Sequence, residues 1–309
     1  MRWLAGTLLM WNVFAWADDP LHNTVDDAVL GANGYQLSGR VTEARAAAHA
    51  GSNGFKTLYR SARQLLTDGE EAVVELSISD YQWRTHVDSQ GYWLLAQDTP
   101  LPLAPGWHAM SSIPPASSTA RLLVPHPDNR IGIISDVDDT LVVSQVNAKS
   151  SLLRNSLMRP AEGRQAFAGT AELYTRIAAS NPQPATMAVF YLSASPRQFT
   201  DNLRRFLAAQ AFPQGVLLTK RWGEGSLTDQ RSYKTARLEA VLAALPKVRF
   251  YLFGDDGEQD PEIYDQLRQR YPDRIAGIWI RRVNPNPARP RLPDQGDLGA
   301  LAADPSLLR

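Results

Sequence analysis

The sequence predicts an α/β chain, with a doubly wound, mostly parallel sheet preceded by a small, mostly-β domain. Three observations carry this. From Arg130 onward, short apolar runs (Ile131–Ile134, Met187–Leu192, Val248–Phe253 and Ile275–Ile280) alternate with helical stripes. Strands apolar on both faces need helices above and below, which is the environment of a parallel sheet. Between about Gly34 and Val124 the pattern changes to period two, the mark of half-buried strands. The composition is ordinary for a globular protein, 44% hydrophobic and 21% charged, and 309 residues suffice for two domains.

The elements follow in order. Residues 1–17 read as an export signal cleaved after Ala17. Arg2 supplies the positive start, Trp3 to Phe14 the apolar run, and Ala15-Trp16-Ala17 the small-x-small site. The run falls short of the roughly twenty apolar residues that span a bilayer. An uncleaved anchor or a buried N-terminal helix is the alternative. Periplasmic or secreted localisation is the expectation. Removing the segment takes one Arg from 32 basic residues set against 32 acidic ones, leaving a charge of about −1.

Residues 18–127 form the expected β domain. Tyr35–Val41, Val74–Ile78, Gln82–Thr85 and Tyr92–Leu95 are its strands, and Asp88-Ser89-Gln90-Gly91 a turn. Leu58, Ala62, Leu65 and Leu66 share one helical face. Pro125-His126-Pro127 marks the break before the α/β domain at 128–283. There, Phe199, Leu203, Phe206 and Leu207 predict one helix, and Leu238, Val241, Leu242 and Leu245 another. Residues 284–309, with Pro285, Pro287, Pro290 and Pro293, read as an extended or disordered tail.

Composition also excludes chemistry. Balanced charge provides no field for nucleic acid, so none is expected as partner. Cysteine is absent, which removes disulfides, thiolate nucleophiles and Cys-based metal sites. All five histidines (His22, His49, His86, His108 and His126) precede the α/β half. Any chemistry there runs on other residues.

In open α/β sheets ligands bind beyond the carboxyl ends of the strands. The first apolar strand ends in Asp136-Val137-Asp138-Asp139-Thr140. Asp136 and Asp138 are two apart, so an extended backbone aims them the same way. Neighbouring carboxylates do not both ionise cheaply unless a cation joins them, and hard oxygen ligands suit Mg²⁺. A strand ending in a turn explains one Asp well and three poorly. The second strand ends in Ser193-Ala194-Ser195-Pro196. Ser195 before Pro196 is an N-cap candidate. Ser193 reads equally as a phosphate contact or an ordinary loop serine. The third ends in Gly254-Asp255-Asp256-Gly257-Glu258-Gln259-Asp260-Pro261. Asp260 is again an N-cap candidate, which leaves Asp255 as the metal-ligand candidate. Asp256 and Glu258 read as solvated loop charges. Ser232 is expected to cap the Leu238–Leu245 helix, placing Lys234 in its first turn. A cation there opposes the helix dipole, and a bound phosphate would reverse that penalty.

Asp136-x-Asp138-x-Thr140, Ser193, Lys234 and Gly254-Asp255 with Asp260 stand in the order of the haloacid-dehalogenase superfamily, which the chain resembles. More narrowly, Asp136–Thr140, Leu192–Pro196 and Gly254–Tyr264 are similar to the phosphatidate phosphatase catalytic domains of the actin-patch protein type. The likeness spans about residues 130–283. It implies Mg²⁺-dependent hydrolysis of a phosphomonoester, phosphatidate or a related lipid phosphate, through a phospho-aspartate. Under it Asp136 is the nucleophile and Asp138 the general acid and base. Ser193 and Lys234 hold phosphoryl oxygens. Asp136, the Asp138 backbone carbonyl and Asp255 bind Mg²⁺. Thr140, Ser195 and Arg197 complete the expected substrate-binding set. Arg197 stands where an aromatic residue is expected, and offers a contact to a second acidic group on a substrate. A lipid substrate implies peripheral membrane contact.

Two other readings compete. A phosphate-accepting signalling receiver also uses Asp, Ser/Thr and Lys at sheet ends, but the Asp-x-Asp spacing and an export signal argue against it. An exported binding protein would use the α/β half as a scaffold, with Trp83, Trp93 and Trp107 forming a ligand surface. A small sandwich core also accounts for those tryptophans.

Overall fold

The computed structural model describes residues 21–43, 73–116, 119–143, 165–197, 200–220, 230–284, 286, 288–289 and 291–308. The expected export signal and the Leu58–Leu66 helix lie outside the described residues.

The N-terminal region consists of short strands: β1 (Leu21–Val25), β2 (Ala28–Val29), β3 (Tyr35–Glu43), β4 (Val73–Ile78), β5 (Tyr81–His86), β6 (Tyr92–Gln97), β7 (Gly106–Ala109), β8 (Ser111–Ile113) and β9 (Arg121–Val124). They pair into three small sheets, ordered β1-β3-β6, β5-β4-β8 and β2-β9-β7. The period-two pattern does the expected work. Val74, Leu76 and Ile78 of β4 are buried while the residues between them are not. With Leu37, Val41 and Trp93 they form one core. The Asp88 turn closes as expected, its Oδ1 accepting from the backbone N–H groups of Gln90 and Tyr92, both at 2.9 Å. The tryptophans form no shared binding face. Trp93 is buried, and its indole donates to Asn23 Oδ1 at 2.8 Å. Trp83 packs edge-on against Tyr35. The Trp107 indole donates to the Ala185 carbonyl in the α/β half.

The second half is an α/β fold built on a six-stranded sheet. The strands are β10 (Ile131–Asp136), β11 (Val189–Pro196), β12 (Val216–Lys220), β13 (Arg249–Asp255), β14 (Ile275–Arg281) and β15 (Gln295–Asp297). Their order is β12-β11-β10-β13-β14-β15, and every pairing is parallel. The helices are α1 (Thr170–Ala179), α2 (Thr200–Ala209), α3 (Gln230–Ala244), α4 (Asp260–Arg270) and α5 (Leu298–Ala303). Leu173, Tyr174 and Ile177 of α1, Leu203 and Phe206 of α2, and Leu298 and Leu301 of α5 pack with Ile133, Tyr191 and Phe253 on one face. Leu238, Val241 and Leu242 of α3 and Ile263, Tyr264 and Leu267 of α4 pack with Ile134, Phe190 and Leu252 on the other. Consecutive strand residues thus feed opposite layers, which is why these strands read as continuous apolar runs.

Two expectations are corrected. The stretch 291–308 is not an extended tail, because β15 adds to the sheet edge and α5 buries Leu298 and Leu301. Asp297 caps α5 by accepting from the Ala300 N–H at 2.9 Å. The backbone of Ser195 lies within β11. Ser232 lies inside α3, which starts two residues earlier, so Lys234 falls past the first turn and outside the reach of the dipole argument. Strand β12 and helix α1 were not anticipated. Val216-Leu217-Leu218 is too short a run to separate from a helical segment by periodicity alone.

The buried C-terminal helix gives a direct check on its packing. Leu301→Ala is expected to destabilise the protein by about 2–5 kcal/mol, read as a lower denaturant midpoint. An unchanged midpoint would mean that α5 adds nothing to the core.

Candidate active site

Strand β10 ends at Asp136, and the chain turns at once. The Asp138 carbonyl accepts from the Thr140 N–H at 2.7 Å, and Asp139 takes a left-handed φ of 58°. The extended-strand reason for pairing Asp136 with Asp138 therefore does not apply. The turn brings Asp138 to a different partner, and its Oδ2 accepts from Ser193 Oγ at 2.7 Å. Ser193, on neighbouring β11, is buried.

Thr140 is fully buried. Its hydroxyl sits between two carboxylates, 3.1 Å from Asp136 Oδ2 and 3.4 Å from Asp255 Oδ2. It acts on the acidic groups from within the protein. Asp255 ends β13, next to β10, and its Oδ1 accepts from the Gly257 N–H at 2.8 Å.

Asp260 is also corrected. It is the first residue of α4 and caps nothing. The N-cap position is Gln259, with no side-chain cap bond. The Asp260 carboxylate turns inward instead, accepting from the Asp255 N–H at 3.4 Å through Oδ2 and meeting Lys234 Nζ through Oδ1. Gly254 makes this possible, because a Cβ there would lie 2.5 Å from Asp260 Oδ2. Lys234 also donates to Asp136 Oδ1 at 2.9 Å. Carboxylate oxygens of Asp136, Asp255 and Asp260 lie within 4.8 Å of one another, and all three residues are buried.

That concentration of charge shifts Asp136, Asp255 and Lys234. Burial pushes the Asp136 carboxyl well above the usual range. The Lys234 ammonium opposes this, while Asp260, Asp255 and Asp138 add to it. Asp255 is pushed up to about 8, chiefly by burial and then by Asp260, against Lys234. For Lys234, burial favours the neutral amine, but Asp136 and Asp260 outweigh it and raise its pKa well above the ordinary value.

Other expected residues fall elsewhere. Arg197 is buried and meets the Asp26 carboxylate of the N-terminal region. Ser195 lies in β11, and its side chain is outside the described residues. Asp256 is no solvated charge. It is buried and accepts from the backbone N–H groups of Val283 and Asn284 at 2.7 and 2.8 Å. Glu258 is exposed. Sequence reasoning missed three supports. Tyr174 donates to Ser135 Oγ at 2.8 Å, which donates to the Asp136 carbonyl at 2.7 Å. Arg281 donates to the carbonyls of Asp139 and Val142 at 2.9 and 2.8 Å, holding the turn after β10.

Buried carboxylates and an amine at the carboxyl ends of a parallel sheet define a class of α/β domain suited to phosphate chemistry. The comparisons sharpen this. Residues 131–282 match the family described as Phosphatidate phosphatase APP1, catalytic domain. The chain is 30% identical over 156 residues to phosphatidate phosphatase APP1 of Saccharomyces cerevisiae, covering 49% of this chain and 26% of that protein. It is 28% identical over 159 residues to an uncharacterized protein of Schizosaccharomyces pombe, covering 50% of this chain and 26% of that one. The chain thus spans about a quarter of the length of these relatives. A solved Pnkp1/Rnl/Hen1 complex shares 19% identity at a TM-score of 0.34, covering 52% of this chain and 47% of that one, too distant to carry an argument. Residues 131–282, just under half of the chain, are thus similar to the phosphatidate phosphatase catalytic-domain family.

The raised pKa of Asp255 has a signed consequence. Its carboxyl titrates at about 8 in the folded protein, against an ordinary 3.8. Between those values the folded state holds a proton that the unfolded chain has lost, so the stability present below pH 3.8 is lost as pH rises toward about 8. In EDTA, Asp255→Asn is expected to unfold at a higher temperature than wild type at pH 8, and the gap should close near pH 4. A gap independent of pH would show that Asp255 titrates normally.

Proposed function

We propose that the α/β half is a haloacid-dehalogenase-like, Mg²⁺-dependent phosphatase that hydrolyses a phosphomonoester through a phospho-aspartate on Asp136. The observation that carries this reading is the convergence of Asp136, Asp255 and Asp260 within 4.8 Å of one another, with Lys234 against two of them.

The donor set fits a hard divalent cation. The donors are carboxylate and carbonyl oxygens, and one ammonium does not offset the carboxylates, as the raised pKa values of Asp136 and Asp255 report. Asp136, Asp255 and the Asp138 backbone carbonyl would hold the ion. The hydrogen bonds of Asp260 favour a second role, orienting Lys234. When bound, Mg²⁺ supplies electrostatic offset for the charge of the phosphoryl group.

The chain's own residues do the rest. An Asp136 oxygen attacks phosphorus, and the bond to the leaving oxygen breaks. Lys234 favours the ionised, nucleophilic form of Asp136. Protonated Asp138 donates to the leaving alkoxide, then takes a proton from the water that attacks the phospho-aspartate and releases phosphate. Ser193 holds the Asp138 carboxyl in one orientation. Family likeness and the APP1 relative support phosphatidate or a related lipid phosphate as the substrate. We place the activity in the periplasm or outside the cell, on the order of Arg2, the apolar run and Ala15-Trp16-Ala17. Contact with a membrane surface follows from a lipid substrate. The proposed organisation keeps 18–127 as the β domain and carries the phosphatase domain from 128 through 308, since β15 and α5 belong to its sheet and core.

Asp136→Asn is expected to fold like wild type and lose Mg²⁺-dependent phosphate release by roughly 10³-fold or more. EDTA should do the same to wild type, reversibly. Retained activity in the variant would end the phospho-aspartate reading. Phosphatidate in mixed micelles is expected to outrun small soluble monoesters by kcat/KM, and the reverse order would remove the lipid assignment while leaving the phosphatase.

A further inference from the structure

We propose that Asp26, delivered by the N-terminal β region, is a positioning residue of the active site. It would fix the end of β11 that carries Ser193. The inference rests on the phosphatase reading.

The need for such a support is visible in the sheet. Strands β11 and β12 run in register from Phe190↔Val216 to Ser193↔Thr219. The register then shifts before Pro196↔Lys220. A shift of this kind leaves part of the strand unpaired, so the ladder stops fixing the backbone just beyond Ser193. Proline withholds a donor as well. Yet Ser193 must hold its place, because its Oγ is what Asp138 accepts from, at 2.7 Å.

The side chain that follows this weak point is Arg197, and it is 4% exposed. Its Nη2 meets the Asp26 carboxylate and lies 3.4 Å from Ser38 Oγ. Ser38 donates in turn to Asp26 Oδ2. The guanidinium also lies 5.6 Å from the centre of the Tyr92 ring, which Arg40 approaches to 4.9 Å. Two buried cations thus share one aromatic ring, and Asp26 supplies the negative charge that anchors Arg197. A buried guanidinium stripped of its carboxylate must move toward water, and it would take the end of β11 with it.

The neighbouring Asp27 serves as an internal comparison. It pairs with Arg204 on α2 at 2.8 Å and accepts from the Leu217 N–H of edge strand β12 at 3.4 Å. Those contacts bind the same two halves together, but away from Ser193. Two adjacent carboxylates therefore separate attachment from positioning.

The test uses the whole chain with phosphatidate in mixed micelles and Mg²⁺. Asp26→Asn is expected to lower kcat by about tenfold or more, the size of effect that small misplacements produce, with KM within about threefold. Asp26→Glu should restore most of kcat, and the milder Ser38→Ala should move it in the same direction by less. Asp27→Asn should lower the melting temperature and leave kcat within about twofold. If Asp26→Asn changes only the melting temperature, as Asp27→Asn does, the positioning role is overturned.

Hydrogen exchange provides a readout independent of activity. Asp26→Asn, and not Asp27→Asn, should speed exchange in the segments 136–141 and 189–197. Unchanged exchange there overturns the proposal even in an active enzyme. Faster exchange in a protein that releases phosphate from no monoester keeps the mechanical link and sinks the phosphatase reading instead.

Discussion

Burying negative charge at the strand tips is the constraint on which the rest of this structure depends. Asp136, Asp255 and Asp260 are withdrawn from water into a medium where like charges repel strongly. Each gains polar partners. Lys234 meets two of the carboxylates, the Thr140 hydroxyl lies between two, and backbone N–H groups serve Asp255 and Asp260. One ammonium still does not match three carboxylates, and the proton affinities of Asp136 and Asp255 rise in response. A site that resists its own ionisation is complementary to a dication and to the chemistry a dication assists.

The parallel sheet is what makes this concentration achievable. Strands β10 and β13 are adjacent and parallel, so their carboxyl ends meet on one edge and deliver Asp136 and Asp255 side by side. Lys234 and Asp260 arrive from α3 and α4, which pack on the same face of the sheet. The approach is close enough that Gly254 has no room for a Cβ. The cost of crowding these charges is met by two apolar layers containing Tyr174, Phe206 and Phe253 on one side and Phe190, Phe250 and Tyr264 on the other. Tyr174 and Tyr264 also reach the strand ends with their hydroxyls, so part of the core supports the site directly.

Much of this was legible in the chain, for reasons that can be named. Apolar runs such as Val248–Phe253 mark strands covered on both faces, and polar residues ending such runs mark the binding edge. Legibility failed where one residue type serves two physical roles. Asp260 before Pro261 satisfies the sequence rule for a helix cap, so its inward carboxylate was hidden behind a sound local explanation. Ser232 misled in the same way, since the helix begins before the point where the local signal would start it. Arg197 was one residue after a motif and became buried through a contact 171 residues away in sequence. No local pattern encodes such a pair. The segment 291–308 looked like a polar tail because Leu298 and Leu301 are only two apolar anchors in a proline-rich stretch, and the sheet edge that receives them is a tertiary fact.

The loops that bear the acidic groups are each held from outside themselves. Arg281, at the end of β14, takes the carbonyls of Asp139 and Val142 and so fixes the turn after β10. Asp256 takes the N–H groups of Val283 and Asn284, tying the loop after β13 to the chain leaving β14. Arg289 adds to that tie through the Asp256 and Glu258 carbonyls and the Glu262 carboxylate. Strand β14 is held in turn by β15, which brings residues 295–297 into the support of the site. Groups that must meet within a few ångströms keep their geometry only when the backbone beneath them is over-determined. In this fold that determination comes from charged side chains on neighbouring strands and segments.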